Sequence, residues 1–154
     1  MKAAELREEI AIEFEALDRT LAETEALSRD IAGREPATRE LAAAGLFLAN
    51  LYNGIENILK RIRLFHGLPL PSGPNWHIEL FKSFCDPPEG GLPLLLDPPL
   101  EGALAPFRRL RHVVHHGYGF RLQWDHVQPG IERAGHALRA FRSAVQEHLA
   151  SLGG

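Results

Sequence analysis

At 154 residues and 17.1 kDa, with 45% apolar and 24% charged residues, the chain has the length and balance of a globular protein with one continuous core. No apolar run approaches the roughly 20 residues of a membrane-spanning helix, and the acidic N-terminus lacks the apolar stretch of a secretory signal. Cys85 stands alone, which excludes an intrachain disulfide framework and a multi-Cys zinc site. A cytoplasmic protein of one domain, residues 1–154, is the economical expectation. The net charge of −3 is unevenly spread. Residues 1–40 hold 11 acids against 6 bases, whereas residues 101–154 hold 4 acids against 7 bases. One basic surface for an anion is compatible with this, but so is ordinary helix-surface charge.

Residues 3–32 predict a long amphipathic helix, with Ile10, Phe14, Leu17, Leu21 and Ile31 on helical spacing. Gly33 to Pro36 break it, and Pro36 suits the first turn of a second helix running from about 37 to 65. Leu41, Gly45, Leu48, Tyr52, Ile55, Leu59 and Ile62 form its apolar stripe, and the small residues from Ala42 to Gly45 and Ala49 would admit a close neighbour. Two long helices around a short break predict an antiparallel hairpin. Residues 66–75 are dense in Pro and Gly and read as a loop. A short helix follows from Trp76 to Phe84, then a second Pro-rich irregular segment over 86–99. A third main helix covers about 100–116, where Pro106 could bend it, and Gly117 and Gly119 stop it. Asp125 is a plausible N-cap for the last helix, which reaches about residue 150 on a stripe from Val127 to Val145. Nothing shows sustained period-two alternation, so the expected architecture is all-α, four main helices plus one short one.

No Gly-rich phosphate loop, strand-elbow Ser or HExxH pattern is present. The densest polar chemistry lies at the end of the third main helix, where Arg108, Arg109, Arg111, His112, His115, His116, Tyr118 and Arg121 fall close together. Three readings of that cluster remain open on residue type alone. Metal-independent RNA cleavage needs one group to take the 2′-hydroxyl proton, one to protonate the leaving 5′-oxygen, and a cation over the phosphorane. Histidine and arginine suit those tasks. A metal site could use His112 and His116, which stand at i, i+4. Alternatively, the residues simply line the wet side of a helix. Arg111 and His116 are five apart, so on a regular helix they point roughly 140° from each other. They can share a phosphate only if His116 lies in a frayed last turn, or if a second subunit completes the site.

Arg111-x4-His116-x-Tyr118 resembles the R-x4-H-x-Y motif of HepT-like proteins in the HEPN superfamily. So does the surrounding run from Phe107 to Tyr118, the second-helix segment from Leu51 to Leu59, Trp76-His77, and Leu122-Gln123-Trp124. The resemblance spans roughly residues 37–145 and implies a HEPN-type antiparallel four-helix bundle with an additional short helix. It also implies a homodimeric endoribonuclease toxin whose two motifs face each other across the interface. Arg111 would then bind and polarise the scissile phosphate, and His116 would serve in proton transfer or phosphate contact. Tyr118 would be the tyrosine that a nucleotidyltransferase antitoxin modifies with AMP, adding negative charge beside the RNA site. Glu56 would be an acidic companion orienting Arg111 or His116, with His112 and His115 in support. No metal, cofactor or membrane enters this reading. His115 stands where many relatives carry Arg, and Pro106 lies just upstream, two departures from the family pattern.

Two other functions stay on the page. One is a non-catalytic HEPN module that binds and positions a nucleotidyltransferase, and the other is a helical adaptor. His66, His77, His126, His136 and His148 are scattered and are not assigned to catalysis. Trp76 and Trp124 read as packing anchors, and Cys85 as a buried small hydrophobe.

Overall fold

The computed structural model describes residues 1–116 and 122–153. Its helices are α1 (Ala3–Asp30), α2 (Thr38–Phe65), α3 (Trp76–Lys82), α4 (Pro98–His115) and α5 (Trp124–Ser151). Among the described residues the only extended pairing is an isolated bridge between Cys85 and Leu96. No described helix is long and apolar enough to cross a membrane.

The apolar stripes fix how the long helices pack. Leu6, Ile10, Phe14 and Leu17 of α1, Leu48, Tyr52, Ile55 and Leu59 of α2, Leu104 and Phe107 of α4, and Val127, Leu138 and Phe141 of α5 close one core. Ion pairs set the directions. Arg61 near the end of α2 reaches Glu9 and Glu13 near the start of α1, so these two helices run antiparallel. Arg7 donates to the carbonyls of Leu149 and Leu152, placing the end of α5 beside the start of α1. Arg111 of α4 meets α2 at Asn53, while Val114 and Leu122 lie by Gly45, so α4 opposes α2. The result is an up-down-up-down bundle of α1, α2, α4 and α5, with α3 laid against α2.

Where helix ends differ from the sequence expectation, the caps explain it. α2 begins after Pro36, because Glu40 Oε1 accepts from the Ala37 N–H at 2.9 Å while Arg34 holds the same carboxylate. That paired carboxyl is held down at about 2 by Arg34 and the backbone N–H. α4 begins two residues early: Asp97 Oδ1 accepts from the Leu100 N–H, and Pro98 and Pro99 occupy first-turn positions where no N–H is needed. α5 begins at Trp124 with Gln123 as N-cap, so Asp125 sits in the first turn and faces the positive helix end instead of capping it. The small-residue stretch of α2 admits a side chain in place of a backbone. A Cβ on Gly45 would fall 2.3 Å from Leu122 Cδ1, so this glycine seats the residue just beyond the motif segment. Cys85 is buried, and burial pushes its thiol up to about 11.

At the far end of the bundle from Gly45, His66 after α2 and His148 of α5 bring their Nε2 atoms within 3.0 Å. One ring must donate and the other accept, so the pair holds with at most one ring protonated on both nitrogens. Burial lowers the pKa of both below 6.5, and at His148 the neighbouring His66 lowers it further. A lowered folded pKa means the unfolded chain takes up protons first. This contribution to stability is therefore complete above pH about 6.5 and fades as pH falls through the folded values. Thermal melts at pH 8 and pH 5 should show a smaller acid loss for His148→Gln than for the wild type. Equal losses would show that the pair does not set the acid sensitivity.

Candidate functional site

The site is assembled from three helices, each contributing side chains for a local reason. α4 buries Leu100, Leu104, Phe107 and Leu110, which leaves Arg108, Arg111, His112 and His115 on the flanks of that stripe. α2 carries Glu56 on its buried face, between Ile55 and Ile58, only 2% exposed. A carboxylate in that place is costly unless ionic and hydrogen-bonding partners surround it. α3 opens with Trp76 and His77, and the His77 ring meets that carboxylate.

The partners of Glu56 are divided between its two oxygens. Oε1 lies 2.8 Å from Arg111 Nε as an ion pair. Oε2 lies 3.0 Å from His77 Nδ1. The Arg111 Nε–H donates to Asn53 Oδ1 at 2.9 Å, and Arg111 Nη1 lies 3.2 Å from His77 Nε2. One tautomer satisfies all of this: His77 Nδ1–H donates to Glu56, and its Nε2 accepts from Arg111. The three side chains form a closed ring of contacts, and the indole of Trp76 covers it, with Arg111 Cζ 5.6 Å from the ring centre. Lys60 Nζ stands 4.4 Å from that ring centre. With Nε and one Nη1 proton engaged, the planar guanidinium is held in a single orientation. Its Nη2 makes no hydrogen bond among the described residues, and donors of this kind suit phosphate oxygens.

Below the fork, Tyr52 is fully buried, and its Oη has no hydrogen-bond partner among the described residues. Burial, and then the Glu56 charge, push its pKa up, so it stays a phenol.

In front of the fork lies a cleft of about 330 Å³, walled by Asn75 and His77 on one side and Arg108, Arg109, Arg111 and His112 on the other. Among the described residues no Asp or Glu side chain lines it. A larger hollow of about 560 Å³ beside Arg63 and Glu89 lies elsewhere, but its Arg63 and Lys82 are already paired, with Glu89 and Glu101. In the smaller cleft Arg111 is likewise paired, with Glu56, but Arg108 and Arg109 have no ion pair among the described residues.

The motif residues divide as their spacing predicts. Arg111 turns toward α2 and α3, while His116, the C-cap of α4, is exposed and stacks on His112 with ring centres 4.0 Å apart. His116 Nδ1 lies 2.9 Å from the His112 carbonyl oxygen; an Nδ1–H donor there puts the ring's lone pair on Nε2. His112 connects the two halves, lining the cleft with Arg111 and stacking on His116. His115 is exposed, and burial of part of its ring and the nearby Arg111 charge lower its pKa. Its neutral form is favoured, so it does not replace the fixed charge of an arginine at that position. Tyr118 lies outside the described residues, as does Arg121.

The sequence assigns no role to His77 or Asn53, although both lie in segments that carry the resemblance, and the structure places them against Arg111. Trp76 reads from the sequence as a packing anchor, and the ring does pack, but its neighbours are Lys60, His77 and Arg111. His126 and His136 are exposed on α5 and do not line this cleft, although His126 shares a neighbouring hollow with Arg109.

The helices form an all-α bundle with a buried Glu56 on α2 and an Arg-His cluster at the end of α4. A sequence model of the family described as HepT-like protein matches residues 43–152, and the chain belongs to that family within the HEPN superfamily. Neither the curated proteins nor the solved structures compared with the chain provide a match.

Proposed function

We propose that the protein is a metal-independent endoribonuclease toxin of a two-component module, acting as a homodimer. The observation that carries this reading is the Arg111 guanidinium, oriented by Glu56, Asn53 and His77 at the wall of a cleft that no described carboxylate lines. In the reaction the 2′-oxygen attacks phosphorus and the bond to the 5′-oxygen breaks, leaving a 2′,3′-cyclic phosphate and a 5′-hydroxyl. Arg111 would stabilise the charge that builds on the phosphorane oxygens. His116, with its lone pair on Nε2, would take or return a proton. Because Arg111 faces inward and His116 lies at the helix end, a second copy of the chain is the natural source of the opposing half. Tyr118 would be the site at which a nucleotidyltransferase antitoxin adds AMP, and the added negative charge would oppose RNA binding.

The same buried ion pair supports a second reading. Glu56 and Arg111 could serve only to fix α2 against α4, in a non-catalytic module that positions a nucleotidyltransferase. Incubation of the purified protein with total RNA in EDTA separates the two. The nuclease reading expects cleavage by the wild type and none by Arg111→Ala or His116→Ala. Equal cleavage by all three would sink it, and cleavage only after metal is restored would return the two-His ligand reading. A mass shift of one or more AMP units on Tyr118 after incubation with the partner and ATP would establish the modification.

A further inference from the structure

Arg111 is paired with the buried carboxylate of Glu56, so the two together bring little net charge to the cleft. Its unbalanced positive charge comes from Arg108 and Arg109, and neither forms an ion pair among the described residues. Arg108 is also held in place. Its guanidinium lies over the Phe81 ring at 4.8 Å, and Phe81 in turn stacks on Tyr52. Despite that support, Arg108 Nη1 is shielded from solvent and has no hydrogen-bond partner among the described residues. A buried guanidinium donor without an acceptor is unfavourable, and native structures usually supply one from protein, water or ligand. Arg108 and Arg111 are three residues apart on α4, about 60° around the helix and roughly 4.5 Å along it. A strand laid along α4 therefore meets the two guanidinium groups in succession.

From this geometry we propose that the cleft holds two successive phosphates of one RNA strand, Arg111 the reacting one and Arg108 with Arg109 its neighbour. The assignment rests on the nuclease reading of the Arg111 fork and extends it from a single phosphate to a stretch of backbone. Arg108 and Arg109 contact the strand without taking part in bond breaking. They set affinity and register, and because phosphates carry no sequence information the subsite is tolerant of base identity.

The test uses two uncleavable probes, a dinucleotide with one internal phosphate and a trinucleotide with two, each 2′-deoxy at the nucleophilic position. Affinities are read by NMR titration of the full chain over a range of salt. The trinucleotide should bind the wild type more tightly, with a plot of log affinity against log salt steeper by about 0.7, the increment for one more single-strand phosphate. Arg108→Gln combined with Arg109→Ala should return its slope to that of the dinucleotide. An unchanged circular dichroism spectrum and melting temperature would confirm that this variant is folded. Equal slopes for both probes in the wild type, or a difference that survives in the double variant, would overturn the subsite. Tighter competition by a nucleoside triphosphate than by the trinucleotide would overturn its assignment to a strand. RNA cleavage with unaltered slopes removes the subsite and leaves the nuclease. The predicted slopes without RNA cleavage remove the nuclease and leave the subsite, and no saturable shift from either probe removes both.

Discussion

Arg111→Ala is expected to lower RNA cleavage by about 10²–10³-fold or more, the usual effect of removing one preorganised donor from a developing anion. It is also expected to destabilise the protein by a separate route. Glu56 is 2% exposed, and Arg111 is its cationic partner. Breaking a buried pair from one side typically costs about 3–5 kcal/mol, because the remaining charge is stranded. In a chain of this size that lowers the melting temperature by about 10 °C. Loss of activity in the single variant therefore cannot by itself distinguish a lost phosphate contact from a weakened fold. Glu56→Gln with Arg111→Ala separates them. The carboxamide oxygen introduced at position 56 still accepts from His77 Nδ1–H, and no buried charge is left. Stability should recover by most of that loss while cleavage should not. Arg111→Lys keeps the charge but not the planar fork, and should remain folded while losing most activity. Full cleavage by the folded double variant would show that Arg111 acts only in the fold.

Much of this site could be read from the sequence because its chemistry lies on regular helices. On α5, Val127, Ile131, Ala134, Leu138, Phe141 and Val145 are all buried, whereas on α1 and α2 Leu21 and Leu41 of the expected stripes are only partly buried and Ile31 falls just past the end of α1. The errors fall at helix ends, where a single cap decides the boundary. Prolines 98 and 99 look like loop residues until Asp97 is seen to cap Leu100. His77 was illegible for a different reason. It meets Arg111 across 34 residues of sequence, and Asn53 meets it across 58, so neither pairing leaves a periodic trace. A signal did exist on α2. Tyr52, Ile55, Leu59 and Ile62 are apolar-stripe residues, and Glu56 lies on the same buried face, where an acid must find a cation and a second donor. Of the residues that could answer that requirement, Arg111 carries a recognisable motif, whereas His77 lies in a segment that resembles the family without any role attached to it. The direction in which Arg111 and His116 diverge was readable from spacing alone, since five residues on a regular helix turn the two side chains apart.

That divergence makes His116→Ala the sharper test of chemistry. His116 is exposed at the C-cap, and its contacts with the His112 carbonyl and the His112 ring lie within its own helix. An exposed side chain at a helix end contributes modestly to the fold, about 0.3–1 kcal/mol where it meets the helix dipole, so the melting temperature should move by only a few degrees. Loss of a proton-transfer group, in contrast, costs about 10²–10⁴-fold in rate. A large fall in kcat on a nearly unchanged fold is therefore expected, with little change in the affinity for an uncleavable strand held by Arg108, Arg109 and Arg111. His112→Ala and His115→Ala provide the comparison. His112 lines the cleft and stacks on His116, so its loss should weaken both binding and rate moderately. His115 has its neutral form favoured by partial burial and by the Arg111 charge, and it adds no fixed charge, so its loss should change either quantity by less than about threefold. If His115→Ala proved as inactive as His116→Ala, proton transfer would belong to the histidine on the Arg111 side of the helix. One chain could then supply both halves of the site, and the angle between Arg111 and His116 would no longer call for a second subunit.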